Sequence, residues 1–185
     1  NLITKLSLDN FIDTNQIPSE ITKNFQNISK NISIQKTKKG IYSLIDFQKE
    51  NRNLGNSIIN LEGHNLSINF NIPWIDFWGY KLKSFDLQSE DLKNFKTNIL
   101  GEDFKISSDI VHNKKVNIKK LVCNFKKGSI VSEKSFIIDN SGIDSSFKFN
   151  FENFDFFKKF YNLEGQASGK IFIKGGICNI DATVD

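Results

Sequence analysis

The side chains that could carry chemistry in this chain are two cysteines, two histidines and a scattered set of carboxylates. Cys123 and Cys178 are far apart in sequence, with no CxxC and no histidine at ligand spacing, so they form no metal-binding signature. His64 and His112 fall at predicted turn or strand-end positions, which is typical of surface histidines. Glu102 flanks a turn, and no base or nucleophile can be paired with it.

Signatures of the common enzyme classes are missing from the sequence. It contains no GxSxG, no phosphate-binding loop and no HExxH. We therefore expect a protein that is not an enzyme and that uses no catalytic residue, metal ion or cofactor. The pairing of the two cysteines stays open, because a cysteine in an apolar run can be a small hydrophobic residue or half of a disulfide in an oxidising compartment.

Alternating strands are the elements that must position any functional surface. Phe147, Phe149 and Phe151 alternate with Lys148 and Asn150, and period two over this length predicts a half-buried strand. The same alternation recurs at two other places: Leu66, Ile68, Phe70 and Ile72, and Cys178, Ile180, Ala182 and Val184. The pattern predicts an all-β fold, a long and mostly antiparallel sheet with one apolar face and more than half of the residues in strands.

Three short helices are predicted between the strands. Pro18 suits the first turn of a helix that runs to Ser29, with apolar residues at helical spacing after it. Shorter helical turns are predicted at Ser89 to Phe95 and at Asn153 to Tyr161. Turns between strands are predicted at four glycines: Gly40, Gly55, Gly63 and Gly79.

Length and composition indicate one domain or a segment of a longer protein. The 185 residues are 38% hydrophobic, which is enough for a core. The chain starts at Asn1 and stops at Asp185 within an alternating run, so we expect a fragment of a longer chain. It has no apolar run of roughly 18 residues and no leader, so any membrane anchor is expected outside it.

The basic charge does not predict a nucleic-acid partner. The net charge is +4, but the lysines come as separated pairs such as Lys114 and Lys115, which suit solvated strand edges. The segment Lys38 to Phe47 misses the aromatic positions that an RNA-binding RRM strand requires. We expect no nucleic acid among the partners.

An aromatic cluster lies outside the predicted strands, in NIPWIDFWGY. Pro73 ends the preceding strand, so Trp74, Phe77 and Trp78 belong to a loop or turn at the rim of the sheet. Such a cluster either plugs one end of the core or contacts lipid or a membrane surface, where tryptophan favours the interface.

The apolar face of a sheet must be covered by another sheet, by helices, by curling or by a ligand. The predicted helices are too few and too short to cover it. Two arrangements remain: a closed sandwich filled by its own side chains, and an open groove with a Phe and Ile floor. The first suits a structural or adhesive β-repeat domain of a surface protein, and the second suits a binder of apolar ligands.

A faint internal repeat appears when the chain is shifted by 64 positions. It pairs Phe85 with Phe149 and Gly101 with Gly165, and each copy reads strand, short helix, glycine, strand. The repeat predicts stacked units at about residues 1–80, 81–145 and 146–185, the last one incomplete.

The segment ENFDFFKKFYNLEGQASGKIFIKGG resembles the recurring unit of the AsmA-like envelope protein superfamily, which includes AsmA, TamB and YhdP. The positions that fill the pattern are Asp155, Phe156, Leu163, Gly165, Gly169, Ile171, Ile173 and Gly175. An upstream copy is partial: it has Asp91, Leu92, Ile99 and Gly101, but Lys105 stands where Gly169 stands downstream.

The resemblance implies a long curved sheet, a β-taco, whose concave face shelters phospholipid acyl chains between the inner and outer membranes. It implies lipid transport or outer-membrane biogenesis in the periplasm, anchorage in the inner membrane, and contact with an outer-membrane protein or a membrane surface. The expected lipid-groove residues are Leu66, Ile68, Phe70, Ile72, Phe147, Phe149, Phe151, Ile171 and Ile173.

Overall fold

The computed structural model describes residues 2–4, 28–73, 75–77, 80–113, 115–139, 142–155, 164–174 and 177–184. The fold is all-β and antiparallel, as the alternating sequence predicts, and more than half of the chain lies in strands. Over the described residues there are sixteen strands and no α-helix.

The chain divides into two compact units, and each is built on an antiparallel sheet. Unit 1 comprises Asn1–Asp91 and Ile99–Glu102. Its strands are β1 (Leu2–Thr4), β2 (Ser29–Lys36), β3 (Gly40–Lys49), β4 (Arg52–Glu62), β5 (Asn65–Asn71), β6 (Asp76–Phe77) and β7 (Tyr80–Ser89). They pair in the order β1-β2-β3-β4-β5-β7, and β6 forms a short hairpin with β7.

Unit 2 comprises Leu92–Asn98 and Asp103–Asp185, so strand β8 (Asn94–Gly101) is divided between the units. Its other strands are β9 (Phe104–Asn113), β10 (Lys115–Phe125), β11 (Gly128–Ser132), β12 (Phe136–Asp139), β13 (Gly142–Ile143), β14 (Ser145–Phe151), β15 (Ala167–Lys174) and β16 (Ile177–Val184). They pair in the order β9-β10-β11-β14-β15-β16. The second edge of β10 is shared by β11 and β12, and β12 also pairs with β13.

The β3–β4 hairpin turns at two residues with positive φ, Glu50 at 49° and Asn51 at 64°. Positive φ at both central residues is the mark of a type I′ turn, which suits the right-handed twist of the strands. The predicted turn at Gly55 is therefore wrong. Gly55 lies inside β4 opposite Phe47, beside a register shift, and a Cβ there would clash with the carbonyl oxygen of Asn71. Glycine lets the strands approach closely at this bulge.

The predicted helix at Ser89 to Phe95 is also wrong. Ser89 ends β7, Leu92 has φ of 58°, and Asn94 begins β8. A residue in the left-handed region ends any right-handed helical path, so this segment is a tight connection between strands. The predicted helix from Pro18 lies outside the described residues except at its end, where Ser29 begins β2. Most of the third, Asn153 to Tyr161, also lies outside them.

Among the described residues, each unit contains one small cluster of buried apolar side chains. In unit 1 it is formed by Phe47, Ile72 and Ile75, with Ile45, Leu54, Phe70 and Leu82 packed around it. In unit 2 it is formed by Ile118, Phe136 and Phe147, with neighbours from β9 to β15 such as Ile130 and Ile171. In these clusters the apolar surface of each unit is most completely buried from water.

Candidate functional site

The most extensive surface of functional interest in unit 1 is one face of its sheet. Paired residues of antiparallel strands point to the same face, so the strand register defines this surface. We call it the unit 1 apolar face, and across β3, β4, β5 and β7 its rows are Ile41-Leu61-Leu66-Ser89, Ser43-Ile59-Ile68-Leu87 and Ile45-Ser57-Phe70-Phe85. The opposite face is mainly polar, with rows such as Tyr42-Asn60-Ser67-Gln88 and Asp46-Asn56-Asn71-Ser84.

Unit 2 repeats this arrangement. We call the corresponding surface the unit 2 apolar face, and across β14, β15 and β16 its rows are Ser145-Ile173-Cys178, Phe147-Ile171-Ile180, Phe149-Gly169-Ala182 and Phe151-Ala167-Val184. Ile130, Cys123 and Ile106 continue the Phe149 row into β11, β10 and β9. The opposite face carries the rows Val131-Lys148-Lys170-Asp181 and Ser129-Asn150-Ser168-Thr183.

The register brings the nine expected groove residues into two groups. Leu66, Ile68 and Phe70 lie on the unit 1 apolar face, and Ile72 follows them into the buried cluster. The other five share the unit 2 apolar face: Phe147, Phe149, Phe151, Ile171 and Ile173. Further residues of these faces were not predicted as sites, although the same period-two rule would have found them: Ile59, Phe85, Leu87, Phe125 and Ile130.

Burial changes along each face. In unit 1, Phe47 is only 4% exposed, whereas Ile41 is 46% exposed. In unit 2, Phe147 is buried, Phe149 is half-buried, and Ile180 in β16 is 66% exposed. Each apolar face thus contains both buried side chains and side chains that stay in partial contact with solvent.

Aromatic rings form a connected group on the unit 2 apolar face. The Phe151 ring centroid lies 5.7 Å from that of Phe125, 6.1 Å from that of Phe149 and 5.8 Å from that of Phe154. In unit 1, the rings of Phe70 and Phe85 are 5.9 Å apart across β5 and β7. Each such ring pair adds about 0.5–1.5 kcal/mol of stability beyond the contribution of its buried area, so these pairs stabilise the sheet on which they lie.

Charged groups of unit 2 meet on the polar side of its sheet. Glu133 Oε1 lies 3.4 Å from the Nζ atoms of both Lys148 and Lys170. Desolvation raises the pKa of Glu133, but hydrogen bonds from Ser146, Lys170 and Lys148 and the attraction of Lys170 outweigh it, and the pKa falls below its ordinary value. The backbone of Glu133 also donates a hydrogen bond of 2.9 Å to Ser146. This network fixes the connection after β11 onto β14.

Few polar groups interrupt the apolar faces. Ser57 and Ser145 are buried hydroxyls whose oxygens have no hydrogen-bond partner, whereas Thr97 and Ser108 hydrogen-bond to each other at 2.6 Å. Both cysteines are free, and burial raises the pKa of the Cys123 thiol. The described part of these faces therefore offers mainly apolar contact.

The predicted rim cluster falls largely outside the described residues. Trp74 and Trp78 are not described, and Phe77 contributes the backbone of β6 opposite Tyr80. Over the described ranges, no group of three His, Cys, Asp or Glu side chains could hold a metal ion. The described part of the chain also contains no helix with the length and apolarity to cross a membrane.

Comparison with protein-family models, with curated proteins and with solved structures found no match to this chain.

Proposed function

We propose that this chain binds lipid acyl chains on its apolar sheet faces and takes part in lipid transport without chemistry. The resemblance to AsmA-like envelope proteins supports this role and suggests a curved β-groove in the periplasm that carries phospholipid between membranes. Contact with an outer-membrane protein or a membrane surface belongs to the same proposal. The observation that carries this proposal is the strand register, which places Ile, Leu and Phe side chains of neighbouring strands next to one another on one face of each sheet.

The energetics of such a surface suit transfer. Burying an acyl CH2 group is worth about 0.8 kcal/mol, so a sheltered chain avoids most of the cost of contact with water. Within a row, side chains on adjacent strands follow one another at the strand spacing of about 4.8 Å, and most of these side chains are apolar. A lining of this kind offers little difference between adjacent positions, and an acyl chain can move along it without being trapped.

The alternative is a structural or adhesive β-repeat domain with a self-filled core. The buried clusters around Phe47 and Phe136 favour this alternative. The half-buried Phe149, which lies between the buried Phe147 and Phe151, favours a ligand, because a self-filled core would bury Phe149 as deeply as the other two rings.

Native mass spectrometry tests the proposal directly. Protein purified without detergent from a membrane-containing host should carry phospholipid, seen as discrete mass increments that disappear after organic extraction. The matched control is Lys148→Asp, which changes the polar face and should retain the lipid. Recovery of the wild-type protein free of lipid in repeated preparations would count against the lipid proposal.

A further inference from the structure

The polar side of the unit 1 sheet is built mainly from neutral hydrogen-bonding side chains. The register extends its rows from β2 through β3, β4 and β5 to β7, and we call the surface that they form the unit 1 polar face. Its rows are Asn31-Asp46-Asn56-Asn71-Ser84, Ser33-Leu44-Ile58-Asn69-Asp86 and Gln35-Tyr42-Asn60-Ser67-Gln88. Asparagine and glutamine are the most frequent residues in these rows, and each amide offers both hydrogen-bond donors and an acceptor.

The described rows of the unit 1 polar face carry no positive charge. They contain no lysine or arginine, although the whole chain has 25 such residues. Their charged residues are Asp46 and Asp86, and the side-chain amide of Asn69 donates a hydrogen bond to Asp86. In unit 2, by contrast, Lys148 and Lys170 lie on the polar side of the sheet. Because its rows bear carboxylates and no base, the unit 1 polar face repels phosphate groups, nucleic acid and anionic membranes.

An apolar patch lies near the centre of the unit 1 polar face. Tyr42 and Leu44 are two positions apart in β3, so they share this face, and Ile58 of β4 lies directly opposite Leu44. Tyr42 is 36% exposed, and the two aliphatic side chains are half-buried. Asn60 lies opposite Tyr42. The face therefore combines an accessible aromatic ring and two aliphatic side chains with hydrogen-bonding groups around them.

We propose that the unit 1 polar face binds an extended, uncharged β-1,4-linked glycan chain. A sugar ring with equatorial hydroxyls has a flat C–H face that packs against aromatic and aliphatic side chains, and a rim of hydroxyls that pairs with amides and carboxylates. Tyr42, Leu44 and Ile58 supply the packing surface, and Asn56 and Asn60 lie beside it. Neighbouring strands are about 4.8 Å apart, close to the length of one sugar unit, so successive sugars meet successive strands along a row. The inference is independent of the lipid proposal, which concerns the opposite face.

An NMR titration of the full chain with cellohexaose tests the proposal. We expect saturable shifts of backbone amides, with an affinity that changes less than about twofold between low and high salt, because the ligand is uncharged. Maltohexaose contains the same sugars in α-1,4 linkage, which coils the chain, and it should bind about tenfold more weakly. Equal binding of the two oligosaccharides overturns the proposal, and so does the absence of shifts up to the solubility limit of cellohexaose.

Variants of two neighbouring residues of β3 assign the binding to one face. Tyr42→Ala should weaken cellohexaose binding about tenfold because ring packing is lost, whereas Tyr42→Phe keeps the ring and should stay within about threefold. Ile41→Ala is the matched control, because Ile41 is exposed on the opposite face, and it should leave binding unchanged. Wild-type affinity in Tyr42→Ala, or an equal loss in Ile41→Ala, overturns the proposal. Circular dichroism confirms that each variant is folded.

The position of the shifted amides separates the glycan from other occupants. Shifts in β3, β4 and β5 support the proposal, and shifts confined to unit 2 overturn it. A basic peptide is the alternative occupant, because Asp46 and Asp86 attract cations. Binding of tetralysine to these strands in a salt-dependent manner, without binding of cellohexaose, would replace the glycan with a basic polypeptide and overturn the proposal.

Discussion

Phe149 and Lys148 are neighbours in β14 whose side chains lie on opposite faces of the unit 2 sheet. Phe149→Asp would place a carboxylate on the apolar face, where contact with acyl chains costs several kcal/mol unless the charge is hydrated. Because Phe149 is half-buried, water can reach the new charge. We expect lipid binding to be lost in native mass spectrometry, while stability falls by less than about 2 kcal/mol.

Lys148→Asp is the matched control for this substitution. It removes one of the two lysines at Glu133 but leaves the apolar face unchanged, so lipid binding should persist. Thermal unfolding of both variants separates the two interpretations of the face. Marked unfolding of Phe149→Asp alone would indicate a dry, self-filled core and would contradict the lipid proposal.

The two cysteines should differ in reactivity. Burial raises the pKa of the half-buried Cys123 thiol, which lowers its thiolate fraction near neutral pH, and Cys178 is exposed in β16. Since the thiolate is the nucleophile, iodoacetamide should modify Cys178 first and Cys123 only slowly until the protein unfolds. Peptide mapping by mass spectrometry measures both rates. Equal rates in the folded protein would show that Cys123 is more accessible than its burial indicates.

Single-residue alternation was enough to place Phe147, Phe149 and Phe151 together, because period two leaves few choices once a strand is assigned. It did not show that Phe149 would be half-buried while its neighbours are buried. Phe136 reaches the Phe147 ring at 5.5 Å from another strand, and the rings of Phe125 and Phe154 lie against the Phe151 ring. Contacts between residues distant in sequence leave no local signal in the sequence, so the exposed fraction of each side chain was not predictable.

At the scale of elements, the β10–β11 hairpin depends on Gly128, the first residue of β11. Gly128 lies opposite Phe151, and a Cβ there would overlap the Phe151 ring. Gly128→Ala must displace this buried ring or separate the strands, so we expect a loss of about 1–3 kcal/mol in chemical denaturation. Ser129→Ala, one position along, should stay within about 0.5 kcal/mol. Equal stability of both variants would show that the strands move apart freely at this point.

Elements without a strong period were the ones that sequence reasoning missed. The segment after Ser89 contains Asp91 and Leu92, which suit a short helix as well as a turn, and only the positive φ of Leu92 decides between them. Strand β8 was not predicted, and the predicted helical turn overlapped its first two residues, Asn94 and Phe95. The shared edge of β10 was also unpredictable, because whether β11 or β12 pairs with a given part of it depends on distant chain segments.

At the scale of the whole molecule, buried apolar side chains are few among the described residues. The described residues include nine, and six of them form the two clusters, one in each unit. Most other described residues of the two apolar faces remain partly exposed. A soluble monomer rarely shows contiguous apolar patches beyond a few hundred Å2, so such surfaces normally meet a ligand or a partner.

Delipidated protein should reveal these surfaces in solution. We expect it to bind a hydrophobic dye with enhanced fluorescence and to self-associate, and short-chain phospholipid below its micelle concentration should displace the dye. Because the rows centred on Phe70 and Phe149 carry no charge, displacement should depend little on headgroup charge or on salt, despite the net charge of +4. Strong salt dependence would place the lipid on the lysine-bearing polar side instead. Delipidated protein that stays monomeric and binds no dye would mean that side chains of the chain itself fill both faces, and the structural role would then be the better account.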